Sequence, residues 1–350
     1  KDFGRADRGA AYALHARLAL NSEVYTDGQV KDYQKAIHYC DEIINSGKYD
    51  LSRVKKNGYS GYQQLFMGDN DCNPDARKEI IFPIRQDGVK TRAYAGTSYL
   101  VNASTISGMP YASTSDPWKC LFARVDLVKK FFPNGDIPKA TDEDLLSNPS
   151  KDQVIAKDNE KGISTADVVA QAKDDRALFY MGIGGCSDKV RTLTPGDAIT
   201  GPLNGASFVK WTNLHADGTA QHHQKFSDTD FPVFRLAEIY LTRAEAKYRL
   251  NGSQDGLEDI LKVQDRANRQ IKASSVDEQT LIDEWCREFY MEGRRRSDLV
   301  RFGLFTGSKY LWSFKGGSEN GQGIPAKCDI YPIPGDEIKN NPNMTQNPKY

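Results

Sequence analysis

The 350 residues carry 47 lysines and arginines against 47 aspartates and glutamates, so the formal net charge is zero. That balance argues against nucleic-acid binding, which calls for a basic surplus or a one-sided basic stripe. Hydrophobic residues make up 39% and charged residues 27%, a globular composition, and no apolar run approaches the ~20 residues a membrane helix needs.

In chain order, residues 7–24 read as a helix with Ala10, Leu14 and Leu18 on one face at i, i+4 spacing. After a turn at Asp27-Gly28, "DYQKAIHYCDEIINSGKYDL" reads as a second helix with Ala36, Ile37, Cys40, Ile43 and Ile44 on its apolar side and Gly47 as its stop. A helix pair with Tyr-x-x-Ala-Ile opening its second member resembles a tetratricopeptide unit. Residues 52–230 then read as a long irregular region rich in Gly, Asn, Asp, Ser and Thr. Within it "EIIFPI" (79–84) and "SYLVNA" (98–103) look like strands, "RVDLVKKFF" like a helix, and "KDDRALFYMGIGG" like a helix end running into a strand. A second helical pair follows in "FPVFRLAEIYLTRAEAKYRLNG" and "GLEDILKVQDRANRQI", with Leu236, Ile239, Tyr240 and Ala244 as its stripe. A third long helix is expected over 277–302. Stacked pairs close a core with about three repeats. Two visible pairs, and a helix starting almost at residue one, lead to the expectation of further helices upstream.

The third helix holds "CREFYMEGRRRSDLVRFG". Between Asp283 and Arg301 there are five acids and five arginines. Local neutrality points to an inward network of arginine–carboxylate pairs, because the planar guanidinium binds carboxylates bidentately. The six cysteines are widely spaced and contain no CxxC, which argues against a zinc ribbon or redox pair. Cys40 and Cys286, on helices, read as core residues.

Several segments together resemble the SusD/RagB family of outer-membrane glycan-binding lipoproteins: "GAAYALHARLALNSEVY", "EIIFPI", "DDRALFY", "FPVFRLAEIYLTRAEA", "REFYMEGRRRSDLVRFG" and the ending "IYPIPGDEIKNNPNMTQNPKY". The resemblance implies a mostly α fold of tetratricopeptide-like helical pairs with an irregular, loop-rich α/β binding subdomain. The expected organisation is 1–51 helical pair, 52–230 binding subdomain, and 231–350 second pair, long helix and tail, as one integrated unit. The resemblance further implies non-catalytic glycan binding at the cell surface and delivery to a SusC-like TonB-dependent transporter. It implies a lipid anchor that this chain does not contain, and no cofactor. The open alternative is a helical-repeat scaffold that binds peptide or protein.

Sugars are gripped by flat aromatics on their C–H faces. Trp118, in "GMPYASTSDPWKCLF", follows a polar loop and suits a ligand platform, the rival reading being that it packs beneath the loop. The resemblance also places a tryptophan there, ahead of a helix. Tyr94, Tyr99 and Tyr111 lie in the same region and are the further candidates. Trp285 and Trp211 read as core, and Trp312 is not assigned. "DNDCNPD" (69–75) invites a calcium reading, but Pro74 stands where an EF-hand loop needs Gly and Ile80 where it needs Glu. His222 and His223 are adjacent and chelate poorly on an extended strand. Asp174 and Asp175 read as an Arg-paired helix end in place of a glycosidase pair. No nucleophile-elbow, zincin or Walker motif occurs.

Overall fold

The structure is a computed structural model that describes residues 3–110, 112–183 and 205–350. Helix α1 (Arg8–Leu20) starts where the Asp7 carboxylate accepts the Ala10 N–H at 3.1 Å. A single turn, α2 (Ser22–Tyr25), breaks from it at Asn21. The buried face of α1 differs from the expected stripe. Ala10, Ala13, Ala16 and Leu20 point inward, whereas Leu14 and Leu18 stay 47% and 46% exposed. Alanines win this face because α3 (Tyr33–Asn45) packs against it, and the interaxial distance depends on the side chains at the contact.

Two short helices, α4 (Gly61–Gln64) and α5 (Pro74–Glu79), lead into strand β1 (Ile80–Ile84). The stretch expected as a second strand is instead helix α6 (Gly96–Ser104). Its buried side is lined by small polar groups that find partners at helical spacing. Thr97 Oγ1 donates to Thr229 O at 2.7 Å, and Ser98 Oγ accepts the Ser227 N–H at 2.9 Å. Tertiary hydrogen bonding thus overrides the β-branched and aromatic character of "SYLVNA". "RVDLVKKFF" forms only the single turn α7 (Val125–Val128), after strand β2 (Phe122–Ala123). Helices α8 (Lys151–Glu160) and α9 (Thr165–Ala172) follow, then β3 (Phe179–Tyr180) and β4 (Ala206–Phe208), which make the antiparallel sheet β2-β4-β3.

The second helical pair opens with a correction. Phe231–Arg235 is a strand, β5, antiparallel to β1, so helix α10 begins only at Leu236 and runs to Asn251. Gly252, at φ +70°, ends it. Helix α11 (Leu257–Arg266) packs on α10, and α10 packs on α3. The two pairs, far apart in sequence, are therefore one continuous stack, with Ala36, Cys40, Ile43, Leu241, Ala244, Ile260 and Val263 in a shared core. The expected third helix is split into α12 (Glu278–Phe289) and α13 (Arg295–Arg301), and a short α14 (Gly335–Asn340) lies in the tail. Met291 and Gly293 between α12 and α13 take φ of +59° and +74°, which no helix continues through. The break turns Glu292 inward.

At the centre lies a buried ion network. Glu288 accepts from Arg235, Arg266 and Arg176, the last at 2.9 Å. Arg235 also grips Glu292, Nε to Oε2 at 2.8 Å, and Lys210 reaches the same carboxylate at 2.7 Å. Arg266 holds Glu79 at 2.9 Å, while Arg176 spans Asp174 at 2.8 Å and Glu284 at 2.6 Å. These side chains come from α5, β5, α11, α12 and the break after it, and the segments beside β3 and β4, so the network ties the helical stack to the middle region. Burial alone would push Glu284 up, but Arg176 and Arg287 hold it down at about 2. Lys210, wholly buried, is pushed down to about 8 by desolvation. No described helix is long and apolar enough to cross a membrane.

Candidate functional site

Three of the four expected binding residues come together. Tyr94 and Trp118 face each other with ring centroids 5.6 Å apart at 49°, and Tyr99 meets Trp118 at 5.8 Å and 62°. Tyr94 is 52% and Tyr99 43% exposed, Trp118 is half-buried, and none of them belongs to the apolar cores among the described residues. Tyr111 lies outside the described residues.

Each ring is carried by a segment pinned from behind. Tyr99 stands on the solvent side of α6. Trp118 is held against the end of that helix, because its N–H donates to Asn102 O at 2.8 Å and the N–H groups of Cys120 and Leu121 donate to Ala103 O at 3.1 and 3.0 Å. The loop thereby satisfies carbonyls that a helix end leaves open. Tyr94 tops a loop whose base is fixed by Gln86. The Gln86 N–H donates to Asp230 Oδ1 at 2.7 Å, and its side-chain carbonyl accepts the Thr97 N–H at 2.8 Å. Burial pushes Asp230 up to about 7. Within this loop Gly88 sits at φ +61°, and a Cβ there would lie 2.6 Å from Asp228 Oδ1 and 2.8 Å from Phe226 O, so only glycine fits.

The row of rings extends to residues the sequence reading missed. Phe226 packs on Tyr94 at 5.0 Å, and His223 on Phe226 at 4.8 Å. The signal lies in "HHQKF", an aromatic in a polar loop, where the sequence reading weighed only the histidines and set them aside as metal ligands. They turn to different partners. His222 Nδ1 lies 3.1 Å from Asp228 Oδ1, whereas His223 Nδ1 accepts the N–H groups of Lys225 and Phe226 at 3.0 and 3.3 Å.

The other candidates are structural. In residues 69–75 every acid has a protein partner. Asp69 accepts the Ala216 N–H at 2.9 Å, Asp71 pairs with Arg85 at 2.6 Å, and Asp75 accepts from Ser52 Oγ at 2.8 Å. Among the described residues no group of three or more His, Cys, Asp or Glu could hold a metal ion. Asp174 is bound by Arg176 and Arg269, and Asp175 by Asn268. Trp285 and Trp211 are 1% and 3% exposed, and Cys40 and Cys286 are buried. Trp312 stacks on Phe305 at 5.9 Å. The arginine run also points inward. Arg294 pairs with Glu238, Arg295 donates to Ile282 O at 2.8 Å, Arg296 to Cys328 O at 2.6 Å, and Arg301 grips Glu245 at 2.7 Å and Asp298 at 2.9 Å.

The sequence profile of the SusD family matches residues 78–350. The chain belongs to the SusD family. The starch-binding protein SusD of Bacteroides thetaiotaomicron is 50% identical over 352 residues, covering 99% of this chain and 61% of that protein. The fold matches surface glycan-binding protein A from the same organism with a TM-score of 0.63 at 18% identity, covering 99% of this chain and 64% of that one. It matches a SusD-like protein from Bacteroides fragilis equally well, with a TM-score of 0.63 at 19% identity, covering 100% of this chain and 66% of that one. This SusD-family chain therefore spans about three fifths of the length of its 50%-identical relative. Its helical stack with a loop-rich middle is the fold those solved structures share.

Proposed function

We propose that this chain supplies the glycan-binding face of a non-catalytic cell-surface protein that takes up a starch-type α-glucan. The observation that carries the reading is that the exposed Tyr94 and Tyr99 both meet the half-buried Trp118, whose backbone is fixed by hydrogen bonds to α6. Rings at 49° and 62° to one another offer exposed aromatic faces to which the C–H faces of sugars can stack. The 50% identity to a starch-binding protein supports the α-glucan class. A cluster of exposed rings favours glycan over the peptide-scaffold reading, which calls for a broad charged groove without aromatics. In this reading the protein stands at the outer membrane on a lipid anchor and passes its oligosaccharide to a SusC-like TonB-dependent transporter. The middle region of residues 52–230 carries the site, and the helical segments on either side hold it.

Calorimetric titration with maltoheptaose, a hexameric β-glucan and a random peptide mixture tests this. Saturable binding of maltoheptaose in preference to the other two is the expected result. Preference for the peptides, or no sugar binding by a folded chain, would overturn it.

A further inference from the structure

The aromatic row continues past Tyr94 through Phe226 to His223, at ring distances of 5.0 and 4.8 Å. Both residues are half-buried and lie outside the apolar cores among the described residues. The loop that carries them is sewn to the segments bearing the other rings. Ser115 N donates to Gln224 O at 3.0 Å, Asn102 Nδ2 to Lys225 O at 3.1 Å, and Ser227 N to Ser98 Oγ at 2.9 Å. Asn102 is the shared post, since its own carbonyl receives the Trp118 N–H. A fourth bond, Asn213 Nδ2 to His223 O at 2.9 Å, fixes the histidine backbone.

The chemistry of His223 follows from its hydrogen bonds. Its Nδ1 accepts two backbone N–H groups, so the neutral ring carries its proton on Nε2. That Nε2–H meets no acceptor among the described residues. A fixed, unused donor beside an aromatic ring is the pair of features a sugar subsite combines, an apolar face for C–H groups and a polar group that fixes orientation. We propose that Phe226 and His223 form a further sugar subsite beyond Tyr94, with His223 Nε2–H donating to a hydroxyl oxygen of a neutral oligosaccharide. The proposal rests on reading Tyr94, Trp118 and Tyr99 as the glycan platform. Its consequence is length selectivity, because only a chain extending past Tyr94 reaches His223.

The test is calorimetric titration of the parent, His223→Ala and Trp118→Ala with maltotriose and maltoheptaose, circular dichroism confirming the fold of each. His223→Ala is expected to weaken maltoheptaose about tenfold and maltotriose less than about twofold, while Trp118→Ala weakens both. Should His223→Ala lose structure, Phe226→Leu carries the same test, since it keeps apolar packing and removes the ring. Equal losses for the two sugars would show that the loop merely supports Tyr94, and unchanged affinities would remove the subsite; either overturns the proposal. A parent that binds neither sugar would overturn the platform reading, and the subsite with it.

Discussion

The ion network around Glu288 and the aromatic row around Trp118 spend their large side chains in opposite ways. At the centre, Arg235, Arg266 and Arg176 are at most 2% exposed and converge on one carboxylate, each guanidinium matched to acids from other elements. At the row, large rings are left open to water although the protein has cores that could bury them. The difference teaches where to look for function in this chain. Its most conspicuous charges are already satisfied, so they hold elements together, whereas open ring faces, and a His223 N–H that meets no acceptor among the described residues, lie on the loops and on the solvent side of α6. Loops on a rigid scaffold carry binding residues for this reason.

Acid should break the comparison most completely, because it dissolves the network and the row falls with it. Burial would raise Glu238, Glu245 and Glu284, but the arginines beside them hold each at about 2 in the folded chain. An unfolded glutamate titrates near ~4.3. Such depressed groups contribute stability that is fully present above the unfolded value and is lost as pH falls through the folded one. Glu79, raised by its burial, runs the other way and offsets part of this. Asp230, raised by burial to about 7, gains stability as it takes up its proton, so thermal melts are expected not to fall between neutral pH and about 5 and to collapse toward pH 2. A melting temperature unchanged at pH 3 would contradict the network's role.

Next in size is a single deletion inside the network. Arg235→Ala leaves Glu288, Glu292 and Glu79 short of a partner, and breaking a buried pair costs about 3–5 kcal/mol. Urea unfolding measures it, and a loss under about 1 kcal/mol would show that the network is dispensable. Arg301→Ala and Arg294→Ala, at the edge of the helical stack, are expected to cost about 3 kcal/mol each while leaving the sugar affinity of the folded fraction unchanged. Lost affinity with unchanged stability would move these arginines from scaffold to site. The smallest effect is expected at Gly88, in the loop that carries Tyr94. Gly88→Ala puts a side chain at φ +61° against Asp228 and Phe226, a strain of about 1–2 kcal/mol. It should weaken sugar binding more than it lowers the melting temperature, measured on the same sample.

Much of this architecture was legible in the chain. Local charge balance pointed to an inward arginine network, but not to its partners, since Arg294 and Arg301 reach Glu238 and Glu245 on α10, outside residues 283–301. The helical pairs followed from periodicity, and Gly47 and Gly252 marked their ends at φ +64° and +70°. What escaped was decided by distant partners. No local pattern marks the break at Met291, because the gain comes from delivering Glu292 to Arg235 and Lys210. Nor does "SYLVNA" announce a helix, since Thr97 and Ser98 need the 227–229 segment to satisfy them. For the site, position after a polar loop and the family resemblance pointed to Trp118, with Tyr94 and Tyr99 as neighbours in the same region, but Phe226 and His223 join the row through hydrogen bonds of their loop to Asn102 and Ser115, a juxtaposition without a sequence motif.

The most direct measurement is Trp118→Ala, followed by maltoheptaose titration and a thermal melt of the same preparation. A stacked aromatic is worth about 1–3 kcal/mol of binding, so affinity should fall about tenfold or more. Trp118 stands outside the cores, so the melt should shift by no more than about 1 kcal/mol. A folded variant that binds maltoheptaose as tightly as the parent, or one that loses the 3–5 kcal/mol typical of a core tryptophan, would contradict the account.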